Sequence, residues 1–228
     1  MNRILNVVRV QLTYRATYIG IPLLVLGGSF ALSILVFALI PYDGPKYGGG
    51  SQAPLWYFAV VGAQALTLSF PFSQALSITR REYFIGTLLT AGVTAAMLSG
   101  IFLVGGWIEQ LTNGWGVNGY FFALDWVWSA GPLAAVGMCF GMAMLFFVCG
   151  FAGATVFKRY GMLGLTIALL AVGLVLVGVM AIVGRTDSWA PFFGWFVQIG
   201  PGGLAALMLA IAAALAASAF PLLRRATP

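Results

Sequence analysis

The sequence predicts an all-α integral membrane protein. Six transmembrane helices are expected, with an N-terminal amphipathic surface helix and a short cytoplasmic helix between spans two and three. Three observations carry this. The chain of 228 residues is 61% hydrophobic and only 7% charged, with a mean hydropathy of +1.01. Its apolar runs reach the roughly 20 residues that a helix needs to cross about 30 Å of hydrocarbon at 1.5 Å per residue. No stretch shows the strict alternation over about ten residues that marks β-barrel strands.

A single transmembrane domain, 1–228, is expected, with the surface helix over 1–17 and spans at 18–40, 55–76, 86–108, 131–157, 160–184 and 200–223. In "MNRILNVVRVQLTYR", Asn2, Asn6, Arg9 and Thr13 fall on one helical face and Leu5, Val8 and Leu12 on another. That pattern suits a helix lying on the membrane surface; an ordinary basic start to the first span is the other reading. The first apolar run follows this arginine-bearing segment and leads to no small-residue cleavage site, so it is expected to stay as a span. The outer loop "PYDGPKYGGGSQAP" is expected to be irregular and mobile. Residues 109–130 lead through "NGWGVNGYFFALDWVW" into aromatics. In "GRTDSWAPFFGWFVQIGPGG", Gly184 to Gly203, Pro191 and Pro201 prevent one regular helix. This stretch is either re-entrant at the outer leaflet or a plain loop.

Charge sets the topology. Of eleven Lys and Arg, nine lie in alternate loops: Arg3, Arg9, Arg15, Arg80, Arg81, Lys158, Arg159, Arg224 and Arg225. Only Lys46 and Arg185 fall on the other side. The positive-inside rule then places both termini in the cytoplasm. All seven tryptophans sit at or in the loops assigned to the outside, as do Asp43, Glu109, Asp125 and Asp187, which leaves Glu82 as the one acid inside.

The same residues exclude chemistries. There is no histidine, no acid pair and no metal-ligand cluster, so covalent catalysis lacks a base and the chain is not expected to be an enzyme by itself. No phosphate-cradling Gly-rich loop with Lys-Ser/Thr is present, so no cofactor is expected in this chain. No ionisable group lies at mid-depth, which argues against a gradient-driven transporter and ranks it third. Net charge does not imply nucleic acid, because the positive charge follows the loops. Cys139 and Cys149 lie about 15 Å apart on one predicted helix, out of disulfide reach. Gly137 and Gly141 form a close-packing pair in span four. In span two, Gln64, Thr67, Pro71 and Gln74 share a face at regular helical spacing; Gln64, Thr67 and Gln74 either bond a neighbouring helix or line a path.

One segment exceeds what topology needs. "FPFSQALSITRREYFIGTLL", Phe70 to Leu89, offers Ser77 and Thr79 as helix caps, Arg80 and Arg81, Glu82 at capping-box spacing from Thr79, and Tyr83 and Phe84 as exposed or interfacial aromatics. That is a protein-docking element in outline. The segment resembles the region after span two in ABC-2-type permeases, the membrane subunits of bacterial ABC exporters, especially small actinobacterial ones. Arg80, Arg81, Tyr83, Phe84, Gly86 and Thr87 carry the match, which is dense over about 20 positions, while the rest of the chain agrees in layout.

The resemblance implies a permease subunit that pairs with a second permease copy and with two copies of a separate ABC ATPase, on which ATP and Mg would bind. Thr79, Arg80, Arg81, Glu82, Tyr83 and Phe84 would form the coupling helix, with Arg9, Lys158 and Arg159 as a secondary cytoplasmic contact. The substrate stays open, with an apolar lining favouring amphiphiles. The alternative from another class is a non-transporting membrane scaffold or immunity-type binding protein.

Overall fold

The computed structural model of the chain describes residues 3–75 and 77–223; Asn2, Arg224 and Arg225 lie outside them. The architecture is all-α. In order come α1 (Arg3–Thr13), α2 (Ile21–Leu39), α3 (Ala53–Gln64), α4 (Phe70–Ala75), α5 (Arg80–Leu111), α6 (Asp125–Trp128), α7 (Pro132–Arg185) and α8 (Trp189–Leu223). Two-residue strands, β1 (Lys46–Tyr47) and β2 (Gly119–Tyr120), pair in parallel between two loops at one end.

Among the described residues, five helices are long and apolar enough to cross a membrane, against six expected. The difference lies at Gly161. Residues 132–185 form one helical run of 54 residues, but Gly161 leaves the helical region at φ 71, ψ −170. Leu165 Cδ1 lies 3.9 Å from where a Cβ on Gly153 would sit; an unbroken helix would hold these residues about 18 Å apart. The chain therefore folds back at Gly161, just beyond Lys158 and Arg159. Gly200 makes a second break inside α8, at φ 66, ψ 176. Pro191 and Pro201 stand in the first turns of the two segments that result, where a missing N–H has no helical partner to lose.

Two spans bend for a shared reason. Ala16–Gly20 and Ala65–Ser69 are π-helical turns, and each is followed two residues later by a proline, Pro22 or Pro71. A proline ring clashes with the carbonyl four residues back and withdraws its donor, and one widened turn moves that carbonyl aside. The extra residue per turn also shifts the helical register. This is why Gln64, Thr67 and Gln74 do not form the single face that regular spacing predicts.

At the centre, α3 and α7 cross backbone to backbone. A Cβ on Gly62 would fall on the Phe147 carbonyl oxygen, and one on Gly150 would fall on that of Ala59. Around this crossing pack Phe58, Ala65, Ala91, Ala95, Phe147 and Phe151. Gly137 and Gly141 face Ala205 of α8, with the Gly141 Cβ position 3.0 Å from the Ala205 oxygen, so that pair serves packing within the chain. Cys139 and Cys149 are free thiols. Leu5 is 54% exposed, while Val7 and Gln11 of α1 are buried, so α1 packs through a different face from the Leu5, Val8, Leu12 stripe.

Gly161 and Gly200 sit in a backbone region that is essentially glycine-only. Gly161→Ala and Gly200→Ala should each destabilise the protein by about 1–3 kcal/mol. Gly92→Ala, whose Cβ meets nothing within 4 Å, should be neutral or stabilise by up to about 1 kcal/mol. Thermal unfolding in detergent compares the three.

Candidate functional site

The predicted docking element is a tight turn between two capped helices. Going out of α4, the Ile78 N–H reaches back to Ser73 O at 3.2 Å and the Ser77 N–H to Gln74 O at 3.0 Å. With Ser77 left-handed at φ 56, this is a Schellman closure built on serine instead of glycine. Going into α5, Thr79 is the N-cap, with its side chain accepting from Glu82 N–H at 3.3 Å, while Glu82 Oε2 accepts from Thr79 N–H at 3.0 Å. The expected capping box is present. Among the described residues there is no separate short helix between α4 and α5. Arg80 opens a helix that continues for 32 residues, because both caps are used within three residues and leave no length for a third helix.

The aromatics of this segment point inward, not outward as expected. Tyr83 is 1% exposed. Its hydroxyl donates to Ala65 O and lies 2.8 Å from Ser69 Oγ, and its ring meets Phe70 edge-on at 5.2 Å. Phe84 packs on Phe151 and Phe220 at centroid distances of 5.9 and 5.1 Å. Arg80 Nη1 donates to the Leu223 carbonyl at 3.1 Å, which ties the turn to the end of α8. Arg81 remains exposed.

A polar network extends this anchorage to α1. Gln11, 1% exposed, donates through Nε2 to Thr87 Oγ1 at 2.8 Å and to Ser69 Oγ at 3.4 Å. Gly86 permits the approach, since a Cβ there would lie 2.6 Å from Val7 Cβ. Gln11, Ser69, Tyr83 and Thr87 thus join α1, the second π-turn and the start of α5. Nothing in the local sequence marks Gln11, whose partner is 76 residues away.

The other predicted residues separate. Arg9 joins Arg3, Asn6 and Val10 in lining a cleft of about 560 Å³ against Ser77 and Ile78, so it does stand beside the turn. Lys158 and Arg159 lie at the fold-back by Gly161, with the Arg159 guanidinium 4.8 Å over the Tyr160 ring. Gln74 Nε2 donates to Ile78 O at 3.3 Å and braces the turn. Thr67 is exposed and bonds its own helix at Ala63 O. Gln64 lines a cavity of about 260 Å³ with Tyr14, Thr17, Tyr18 and Ser69, between the two π-turns.

The opposite end holds a site the sequence left without a role. Glu109 is fully buried, and its carboxylate accepts four N–H groups. Oε1 takes Trp115 Nε1–H at 2.8 Å and Phe121 N–H at 2.7 Å; Oε2 takes Phe122 N–H at 2.8 Å and Ala123 N–H at 2.6 Å. An acid at the end of an apolar helix was noticeable in the sequence, but its partners on the following loop were not. Phe30 seals the group, 5.0 Å from Trp115 and 5.4 Å from Phe121. The Gly- and Pro-rich loop 40–52 is irregular but tied here too. Asn118 donates to Asp43 O at 3.0 Å and Lys46 to Phe37 O at 2.9 Å. Tyr47 donates to Asp125, a bond that pushes the phenol's pKa up to about 12.

Among the described residues, no three His, Cys, Asp or Glu side chains gather where they could hold a metal. In comparisons with known proteins, the chain matches no family model, no curated protein and no solved structure.

Two outcomes follow from these geometries. Glu109→Gln turns an acceptor toward the loop into a donor and leaves buried N–H groups unpaired, which should cost about 3 kcal/mol and expose residues 113–124 to protease. Both are read by thermal unfolding and limited proteolysis. Ser77→Gly should stabilise by about 1 kcal/mol by relieving the left-handed serine, whereas Thr79→Ala should destabilise by about 1 kcal/mol by removing the cap.

Proposed function

We propose that this chain is the membrane-spanning permease subunit of an ATP-driven exporter in a bacterial plasma membrane, working with a separate ATPase present in two copies and with a second permease copy. The single observation that carries the reading is the turn at 77–79. It presents Arg81 outward while its own backbone is capped on both sides and its helix is bonded through Tyr83, Gln11 and Arg80 to three other parts of the bundle. A turn of this kind passes a push to the spans instead of absorbing it.

In this reading there are six spans. They are α2, the α3 to α4 run, α5, the two arms of α7 on either side of Gly161, and α8 after Gly200. The amphipathic α1 lies on the inner membrane surface, with Arg3 and Arg9 toward the cytoplasm, its Leu5 side toward lipid and Val7 and Gln11 on the bundle. Both termini and the 77–79 turn are cytoplasmic, as the basic residues require. Residues 189–199 form a re-entrant aromatic segment at the outer leaflet. The cargo is amphiphilic, and the ATP and Mg belong to the partner.

Support for the docking direction comes from the cleft beside the turn, where Arg3 and Arg9 add positive charge to that of Arg81. An acidic groove on the ATPase would complement it. Arg81→Glu should leave insertion and thermal stability unchanged but lower transport-coupled ATP hydrolysis at least tenfold when the chain is co-expressed with a Walker-A ATPase encoded beside it. Tyr83→Phe should keep the ATPase bound and still reduce coupling, because it cuts the link to the second π-turn. Wild-type ATPase binding and coupling in Arg81→Glu would remove the proposal, and the absence of any ATPase that co-purifies would favour a scaffold.

A further inference from the structure

The end of the bundle opposite the turn encloses a cavity of about 200 Å³ bounded by α3, α5, α7 and the 119–128 segment. Its walls are Phe102, Phe121, Trp128, Met138 and Met142, and no ionisable carboxylate, amine or guanidinium lines it. Two polar side chains do, Ser51 and Gln52, both from the 3₁₀ turn that precedes α3. Gln52 and Trp126 are the exposed lining residues, so the mouth opens between them. The roof is held in place, because Phe121 and Phe122 are bonded through their N–H groups to Glu109.

We infer that this cavity is a binding site for one alkyl chain of a single-chain amphiphile, with the polar head left at the mouth beside Ser51 and Gln52. Size supports this. A dry apolar cavity of about 150 Å³ already accepts the six carbons of benzene, and in that proportion the space here takes about eight. The lining chemistry points the same way. Methionines are unbranched and polarizable and adapt to a flexible chain, while the aromatic walls give it close contacts. A charged ligand would find no countercharge in the lining, and the hydrogen-bonding side chains there are Ser51, Gln52, Trp126 and Trp128, the last already donating to Phe122 O. Lipid tails are as apolar as the pocket, so simple partition gives no preference for it. Selectivity must come from its depth, which ends on the buried Leu55, Phe121 and Cys139, and a finite depth imposes a limit on chain length. The site is read from the aromatic end alone and does not depend on the docking of an ATPase at the other end.

The test uses the full-length protein in nanodiscs and photoreactive alkyl-diazirine fatty acids of 6, 8, 12 and 16 carbons, with cross-links mapped by mass spectrometry. Expected are saturable cross-links at Trp126, Trp128, Met138 and Met142, displaced by excess unlabelled octanoate, with apparent affinity levelling off near eight carbons. Ala135→Leu, which narrows the cavity, should reduce these cross-links at least tenfold while labelling at the exposed Leu133 is unchanged. Should Ala135→Leu fail to fold, Met142→Phe serves the same purpose. Labelling that rises steadily with chain length, resists competition and is as strong at Leu133 as in the cavity would overturn the inference. So would undiminished cavity labelling in a folded narrowing variant. Neither result bears on Arg81, so failure of this site and failure of the exporter reading are told apart.

Discussion

In hydrocarbon, every backbone carbonyl and N–H must find its partner inside the protein, and the packing around the 77–79 turn depends on how one such carbonyl is used. Pro71 breaks the regular ladder of its span, and the π-turn that absorbs the break leaves Ala65 O facing α5. Three donors meet there: the Phe70 N–H that closes the turn, Ser69 Oγ at 2.7 Å and the Tyr83 hydroxyl. A local defect in one span thereby becomes the attachment point for the next. Ser69 also reaches Gln11, so the surface helix is fastened to the same spot.

The two ends of the molecule use their few charges differently. At the end that carries the 77–79 turn, Arg81 is presented outward, while anchorage comes from hydroxyls, an amide, rings and the Arg80 guanidinium on Leu223 O. At the opposite end Glu109, the one buried carboxylate among the described residues, gathers four N–H groups, so that backbone which would otherwise be unpaired becomes a rigid roof. Both solutions place strong hydrogen bonds where the dielectric is low and water does not compete.

What could be read beforehand follows from range. Apolar length alone located helices long and apolar enough to cross a membrane, and the Thr79 to Glu82 spacing located a cap, because both are determined within a few residues of sequence. The fold-back at Gly161 was visible as a basic interruption. Tyr83 was misjudged because an aromatic beside two arginines has the composition of an interface, whereas its direction is set by Ala65, 18 residues earlier. Gln64, Thr67 and Gln74 were grouped by assuming 3.6 residues per turn through a stretch containing Pro71, where that period does not hold. Gln11 and Glu109 were opaque for a third reason. Their partners lie on other elements, and nothing local marks a polar group as already satisfied.

The arm after Gly161 has the most apolar composition in the chain, within a run whose best window has a mean hydropathy of 2.8 and none of its residues buried. Leu163, Leu169, Val172 and Val175 are exposed around its circumference. Such a segment owes its position to the bilayer and very little to the rest of the protein. Its insertion is a partition equilibrium that the folding of the core neither helps nor opposes. Exchanges among Leu, Val and Ile along it are therefore free to drift, while one charge placed at mid-depth costs about 3 kcal/mol in insertion without weakening any contact in the core.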